Sequence, residues 1–202
     1  MKKVLLAGAI ALFGLSNAQI VKGTTFLSGT LNYSSSQNNN NDTKVDDLTL
    51  VPTVGYFVGT NVAVGLGVGY ASHVEKAEFA NGYDKATHQG VVVEPFVRKY
   101  WTLGEKLYIF GQLSVPMQFG NTKNEESIAN VTTSTKNNFT AVGVSVKPGL
   151  DYFLNKNWTI EATIGEFGYS NFKYKDAKSV DNYNFGFDLA SVGIGVKYVF
   201  SK

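Results

Sequence analysis

The chain has 202 residues, a net charge of only +2 and no cysteine, so disulfides and a lipid-modified cysteine are excluded and charge gives no basis for a nucleic-acid partner. Charged residues make up 17% of the chain, below the roughly 25% of soluble domains. Glycine (21 residues) and aromatics (13%) are plentiful, a mix that suits strands with small residues on one face and aromatic ends.

Residues 1–18 have the composition of a secretory signal peptide. Lys2 and Lys3 form a positive start, residues 4–15 an apolar core, and Ser16, Asn17 and Ala18 a small-residue cleavage site. The apolar run is shorter than the roughly 20 residues of a spanning helix. The mature domain is then expected at 19–202, as one unit. With no disulfide available, an exported chain must find its stability elsewhere.

Eight alternating runs follow, at residues 24–35, 47–58, 62–74, 90–102, 106–119, 139–154, 158–169 and 183–200. Their connections alternate in kind. Residues 59–61, 103–105 and 155–157 are short turns of hairpin type. Residues 36–46, 75–89, 120–138 and 170–182 are long polar segments. This predicts an up-and-down meander with a short-turn end and a long-loop end. The four asparagines 38–41 cannot bury apolar surface and are expected in a solvated loop. The segment 120–138 is expected to be mobile and dispensable for folding.

Successive side chains of a strand point to opposite faces. One parity carries large aliphatics such as Leu48, Leu50, Val54, Val64, Leu66, Val68, Leu113, Val144, Ile160 and Ile194. The other carries Ser28, Thr30, Gly65, Gly67, Gly69, Ala71, Gln112, Ser114 and Gly149. A soluble barrel would place Lys and Glu on its outer parity, whereas here charges collect in the connections. Small residues fit the crowded interior of an eight-stranded barrel, and aliphatics fit lipid. Tyr56, Phe57, Trp101, Tyr108, Tyr152, Phe153, Trp158, Tyr198 and Phe200 fall at the short-turn end. Tyr33, Tyr70, Phe119, Phe139, Tyr169 and Phe185 fall at the other. Two such levels predict the aromatic girdles of a membrane barrel. All four prolines (Pro52, Pro95, Pro116, Pro148) lie inside the runs, and bulges are expected there because proline cannot donate to a ladder.

These features resemble the small eight-stranded outer-membrane β-barrel family, of the OmpX, OmpW and OmpA transmembrane-domain type. The likeness spans the mature chain and rests on the signal peptide, eight amphipathic strands, short–long alternation and a final strand, SVGIGVKYVF, ending at Phe200. It implies an all-β, antiparallel, up-and-down transmembrane barrel with short periplasmic turns and long extracellular loops, in the cell outer membrane. It also implies lipid and the barrel-assembly machinery, acting on the C-terminal strand, as partners. Family members tend to end on an aromatic residue; here Ser201 and Lys202 follow it. A monomer is expected, with surface partners reached through the outer loops.

The resemblance carries no catalytic motif, and no catalytic residue, metal ligand or cofactor is assigned. Gly65, Gly67 and Gly69 lack the spacing and following helix of a dinucleotide loop. His73 and His88, the only histidines, flank one outer segment; a metal site or a catalytic base there is conceivable, but no Ser or Asp has a spacing that singles it out as a partner. Two functions remain: a structural or surface-interaction barrel, and a passive conduit for small hydrophobic molecules. The candidate site is a charge cluster on the inward parity: Glu94, Arg98, Lys147, Asp151, Glu161 and Lys197. Asp151 and Glu161 face each other across a short turn and need a base between them. Arg98, Asp151, Glu161 and Lys197 are expected in one layer, with Glu94 and Lys147 above it. Such a layer would plug the lumen. The first run is expected to pair with the last and close the barrel, because lipid tolerates no open edge.

Overall fold

A computed structural model describes residue 20, residues 22–186 and residues 192–200. The expected signal peptide at 1–18 and residues 187–191 of the last run lie outside the described residues. Eleven strand segments follow one another: β1 (Thr25–Asn38), β2 (Thr43–Gly59), β3 (Val62–Phe79), β4 (Gly82–Thr102), β5 (Leu107–Ser114), β6 (Met117–Ile128), β7 (Val131–Phe153), β8 (Trp158–Ile164), β9 (Glu166–Tyr174), β10 (Val180–Gly186) and β11 (Val192–Phe200). Among the described residues there is no helix.

The segments make eight staves. β5 and β6 share one, since both lie between β4 and β7. β8 and β9 share another beside β7, and β10 and β11 pair with β9 and β8 respectively. β11 then pairs with β1, so the antiparallel ring closes on itself. This is an eight-stranded up-and-down barrel. Its outer face carries the aliphatic parity: Leu66, Val68, Leu113, Val144 and Val146 are each more than two-fifths exposed. Its interior parity holds Ala63 and Ser114, both buried.

The four long connections are not loose polar loops. β1 and β2 stay in register out to Asn38↔Thr43, β3 and β4 to Phe79↔Gly82, and β6 and β7 to Ile128↔Val131. The excursions are extended hairpins with tight tips. Of the asparagine tract Asn38 ends β1 and Asn39, Asn40 and Asn41 form the turn, in keeping with the expected loop, whereas the segment 120–138 is ordered ladder for most of its length. A polar sequence pairs here because backbone groups bond in any strand of either composition. At the β6–β7 tip Ala129 and Asn130 both adopt positive φ, 48° and 67°, the geometry of a two-residue I′ turn.

The prolines behave differently from expectation at three positions out of four. Around Pro52 the pairs Leu50↔Tyr70 and Thr53↔Gly67 keep two residues between them on each strand. The ladder lapses there without a slip. Pro95 and Pro116 lie diagonally across a second lapse, between Phe96↔Ser114 and Val93↔Met117, with Pro95 opposite Val115. This lapse divides β5 from β6. Only Pro148 sits at a bulge. Lys147 and Pro148 oppose three residues, Ile164, Gly165 and Glu166, between Gly149↔Thr163 and Val146↔Phe167. Gly165 carries the turn at φ 80°.

Two further corrections concern the girdles and the seam. Tyr56, Trp101, Tyr152, Trp158 and Phe200 face outward as girdle residues, but Phe57, Tyr108 and Phe139 are buried inside the barrel. The first and last runs pair only at Thr25↔Phe200, Phe26↔Val199 and Leu27↔Tyr198. Above Leu27, β1 is bonded to β2 alone among the described residues.

Candidate functional site

The short-turn end of the lumen is filled by rings. Phe26, Phe57, Tyr100, Tyr108 and Phe110 are each at most 3% exposed, and Ile20 and Val199 pack with them. Phe57 and Tyr100 lie 5.5 Å apart between centroids, Tyr100 and Phe110 5.8 Å. Such tilted pairs add to simple area burial. The N-terminal segment contributes to this floor. Asn61 accepts through its side-chain Oδ1 from the Ile20 N–H at 3.1 Å, which holds Ile20 in the cluster.

A layer of charge rests on the floor. Lys197 Nζ forms ion pairs with Asp151 and, at 3.1 Å, with Glu161, while Arg98 pairs with Glu161 from the opposite wall. Asp151 and Lys197 are fully buried and Arg98 is 6% exposed. Neighbours occupy the remaining donors. Arg98 Nε donates to Gln112 Oε1 at 2.9 Å and Nη1 to Tyr100 Oη at 3.0 Å, and Lys197 Nζ donates to the same Oη at 3.2 Å. The cations also lie over rings: Arg98 is 4.3 Å from the centre of Phe110 and Lys197 4.9 Å from that of Tyr100. Buried charge is tolerated only where it is paired and hydrogen-bonded, and each charged group of the layer has an ion-pair partner, although Asp151 Oδ1 accepts no hydrogen bond. Above this layer Lys147 Nζ donates to Glu94 Oε1 at 3.1 Å, with Glu166 at 3.9 Å.

The register makes the layer. The turn after β7 sets Asp151 opposite Glu161, and two facing carboxylates repel. Lys197 comes from β11, which pairs with β8 at Lys197↔Thr159 and sets Gly195 beside Glu161. Arg98 comes from β4 across the lumen. The sequence reading missed Tyr100, whose hydroxyl meets both cations, and Gln112. Their inward parity was available as a signal, but an aromatic near a strand end fits a girdle equally well.

Over the layer lies a cavity of about 500 Å³, bordered by Thr53, Glu94, Arg98, Lys147, Glu161 and Glu166. Higher again, a row of polar side chains runs around the inside of the hairpins. Ser34 donates to Asp47 at 3.3 Å, and His73 lies 2.6 Å from Asp47. His88 lies 2.8 Å from Thr122, which is 3.1 Å from Tyr174 Oη. Among the described residues no group of three or more His, Cys, Asp or Glu is set to hold a metal ion.

Comparison with known proteins places these features. A family model described as an outer membrane protein beta-barrel domain matches residues 5–200. No curated protein matches the chain. Among solved structures, it is similar to the N-terminal β-barrel domain of Pseudomonas aeruginosa OprF, with 12% identity, covering 89% of this chain and 98% of that one, at a TM-score of 0.40. It is also similar to Ail, the attachment invasion locus protein of Yersinia pestis, with 17% identity, covering 89% and 100%, at a TM-score of 0.38.

Proposed function

This chain belongs to the outer membrane protein β-barrel domain family and resides in the cell outer membrane, and from that premise we propose that it is a structural or surface-interaction barrel whose lumen is plugged by its own side chains. The observation that carries this reading is the stack of a paired four-residue charge layer on an aromatic floor. In an eight-stranded barrel the interior is just wide enough for side chains, so such a stack leaves no through-path for ions. The reading has no catalytic step. The mature domain is 19–202 after removal of 1–18, a monomer in lipid, delivered by the barrel-assembly machinery through its C-terminal strand. Any partner meets the hairpin tips. The test is single-channel recording on the reconstituted, unmodified barrel. No steady conductance is expected; steady conductance would overturn the plug.

One observation favours a second reading, a passive conduit for small hydrophobic molecules. Among the described residues the β1–β11 seam is paired at three positions, and Gly29, Gly193 and Gly195 beside it border the cavity. A solute could pass from outside to the cavity and leave sideways into lipid without crossing the plug. Leu31 and Ile194 stand opposite each other if the pairing of the seam is continued upward. A Leu31→Cys, Ile194→Cys disulfide should stop uptake of an apolar dye into vesicles if the seam is the exit, and leave it unchanged if it is not.

A further inference from the structure

His73 and His88 take no part in the lumen charge layer, and they are the only histidines of the chain. They face each other directly across β3 and β4, with ring centroids 6.1 Å apart. Their Nδ1 atoms turn in opposite directions. That of His73 is 2.6 Å from Asp47 Oδ1 on β2, and that of His88 is 2.8 Å from Thr122 Oγ1 on β6. An imidazole that turns its Nδ1 side away from a neighbour presents its Cδ2–Nε2 side to it. Both Nε2 atoms therefore border the space between the two rings.

Hydrogen bonding agrees with this placement. A carboxylate only accepts, so His73 Nδ1 is the donor toward Asp47. Thr122 can accept from His88 Nδ1 while its own hydroxyl donates to Tyr174 Oη, 3.1 Å away. Both rings lie above the lipid-facing band, on the side open to the exterior. Neutral imidazole is the commonest protein ligand for metal ions. Ligating histidines typically donate their other ring N–H to a carboxylate or another fixed acceptor. A metal about 2.0 Å from each Nε2 puts the two centroids roughly 5–6.4 Å apart, depending on the angle at the metal. The observed 6.1 Å falls in that range.

We propose that His73 and His88 form a two-imidazole site for a borderline divalent transition-metal ion, Cu²⁺ or Zn²⁺, inside the outer mouth of the barrel, with Asp47 and Thr122 as positioning residues. The ion takes Nε2 of each ring, and water fills its other positions because no third side chain completes the set. Imidazole suits both ions, and the order of affinities puts Cu²⁺ ahead of Zn²⁺. The carboxylates of Asp47 and, near His88, Glu75 attract the cation.

The experiment uses the untagged mature barrel folded in detergent, titrated with Cu²⁺ by calorimetry in a non-chelating buffer at neutral pH. One ion per barrel is expected. His73→Ala and His88→Ala should each weaken binding at least about 10-fold, and Asp47→Asn by roughly 10-fold, the low end for loss of a supporting carboxylate. The heat-modified gel shift should stay intact in all three. Electron paramagnetic resonance of the unmodified barrel with Cu²⁺ should show coupling to two nitrogens, a readout that needs no variant. Wild-type affinity in the His73→Ala, His88→Ala double variant, or coupling to fewer than two nitrogens, would overturn the site.

Discussion

The two ends of the lumen are built from the same staves and follow opposite rules. Toward the short turns, β4 supplies Tyr100 and Arg98, and their partners Gln112, Glu161 and Lys197 are buried among aromatics. Ten residues before Arg98 the same strand supplies His88, in a row where Asp47 and His73 keep nearly half their side-chain surface in solvent. The lower end spends most of its polar groups on one another and keeps the rest, Asp151 Oδ1 and Thr159 Oγ1, buried. The upper end holds its polar groups by one or two hydrogen bonds each and leaves Asp47 and His73 open to solvent. Stability and accessibility are thus separated along the barrel axis, and no strand has to serve both at one level.

That contrast is open to attack at four points, taken from the largest effect to the smallest. Lys197→Ala leaves Asp151 buried without its cation, and breaking a buried pair costs roughly 3–5 kcal/mol. Urea unfolding in detergent should show that loss, and Arg98→Ala a similar one. Asp47→Ala in the upper row should stay within about 0.5 kcal/mol of wild type, as exposed sites do. Equal losses at Lys197 and Asp47 would erase the distinction between the two ends. Second, Gly165 adopts φ 80° at the bulge facing Pro148. Gly165→Ala forces a side chain into the left-handed region, for roughly 1–2 kcal/mol; an unchanged unfolding midpoint would mean that the bulge is not held.

The third and fourth tests concern the hairpins. Ala129 carries the same penalty natively, at φ 48°. Ala129→Gly should relieve up to about 1 kcal/mol of it, seen as slower amide exchange in β6 and β7 near the tip. No change in exchange would argue against the I′ turn. The smallest effect is expected from replacing residues 123–136 by Asn-Gly, which restores a two-residue turn between the register partners Thr122 and Asn137. The barrel should still assemble and shift on heating. Its loss from the membrane would mean that the upper hairpin supports the lower barrel.

The parity of each strand was legible in the chain because a strand admits only two faces, so Glu94, Arg98, Lys147, Asp151, Glu161 and Lys197 fell on one side by counting alone. The facing of Asp151 and Glu161 was legible too, since a short turn fixes register. Tyr100 and Phe57 were not: a ring near a strand end satisfies a girdle and a lumen floor by the same alternation. The hairpins above the membrane were hidden for a different reason. Their ladders consist of backbone bonds, which leave no apolar stripe in segments such as 120–138. The prolines misled in the opposite sense. A ladder can lapse for two residues without slipping, as at Pro52, and nothing in composition separates that from a bulge.

The length of β7 has a consequence for whatever meets this protein from outside. Its 23 residues extend about 76 Å at roughly 3.3 Å each; tilted by about 40°, they rise about 58 Å against an apolar band of about 25 Å. Some 30 Å of paired ribbon therefore projects past the lipid, as a stiff stalk. A partner that docks at its tip does not have to order a floppy segment, which would cost roughly 1–2 kcal/mol for each residue fixed. Recognition there is limited by the shape and charge of a preformed tip, and moving the tip nearer to or farther from the bilayer by one residue pair shifts the binding surface without altering it.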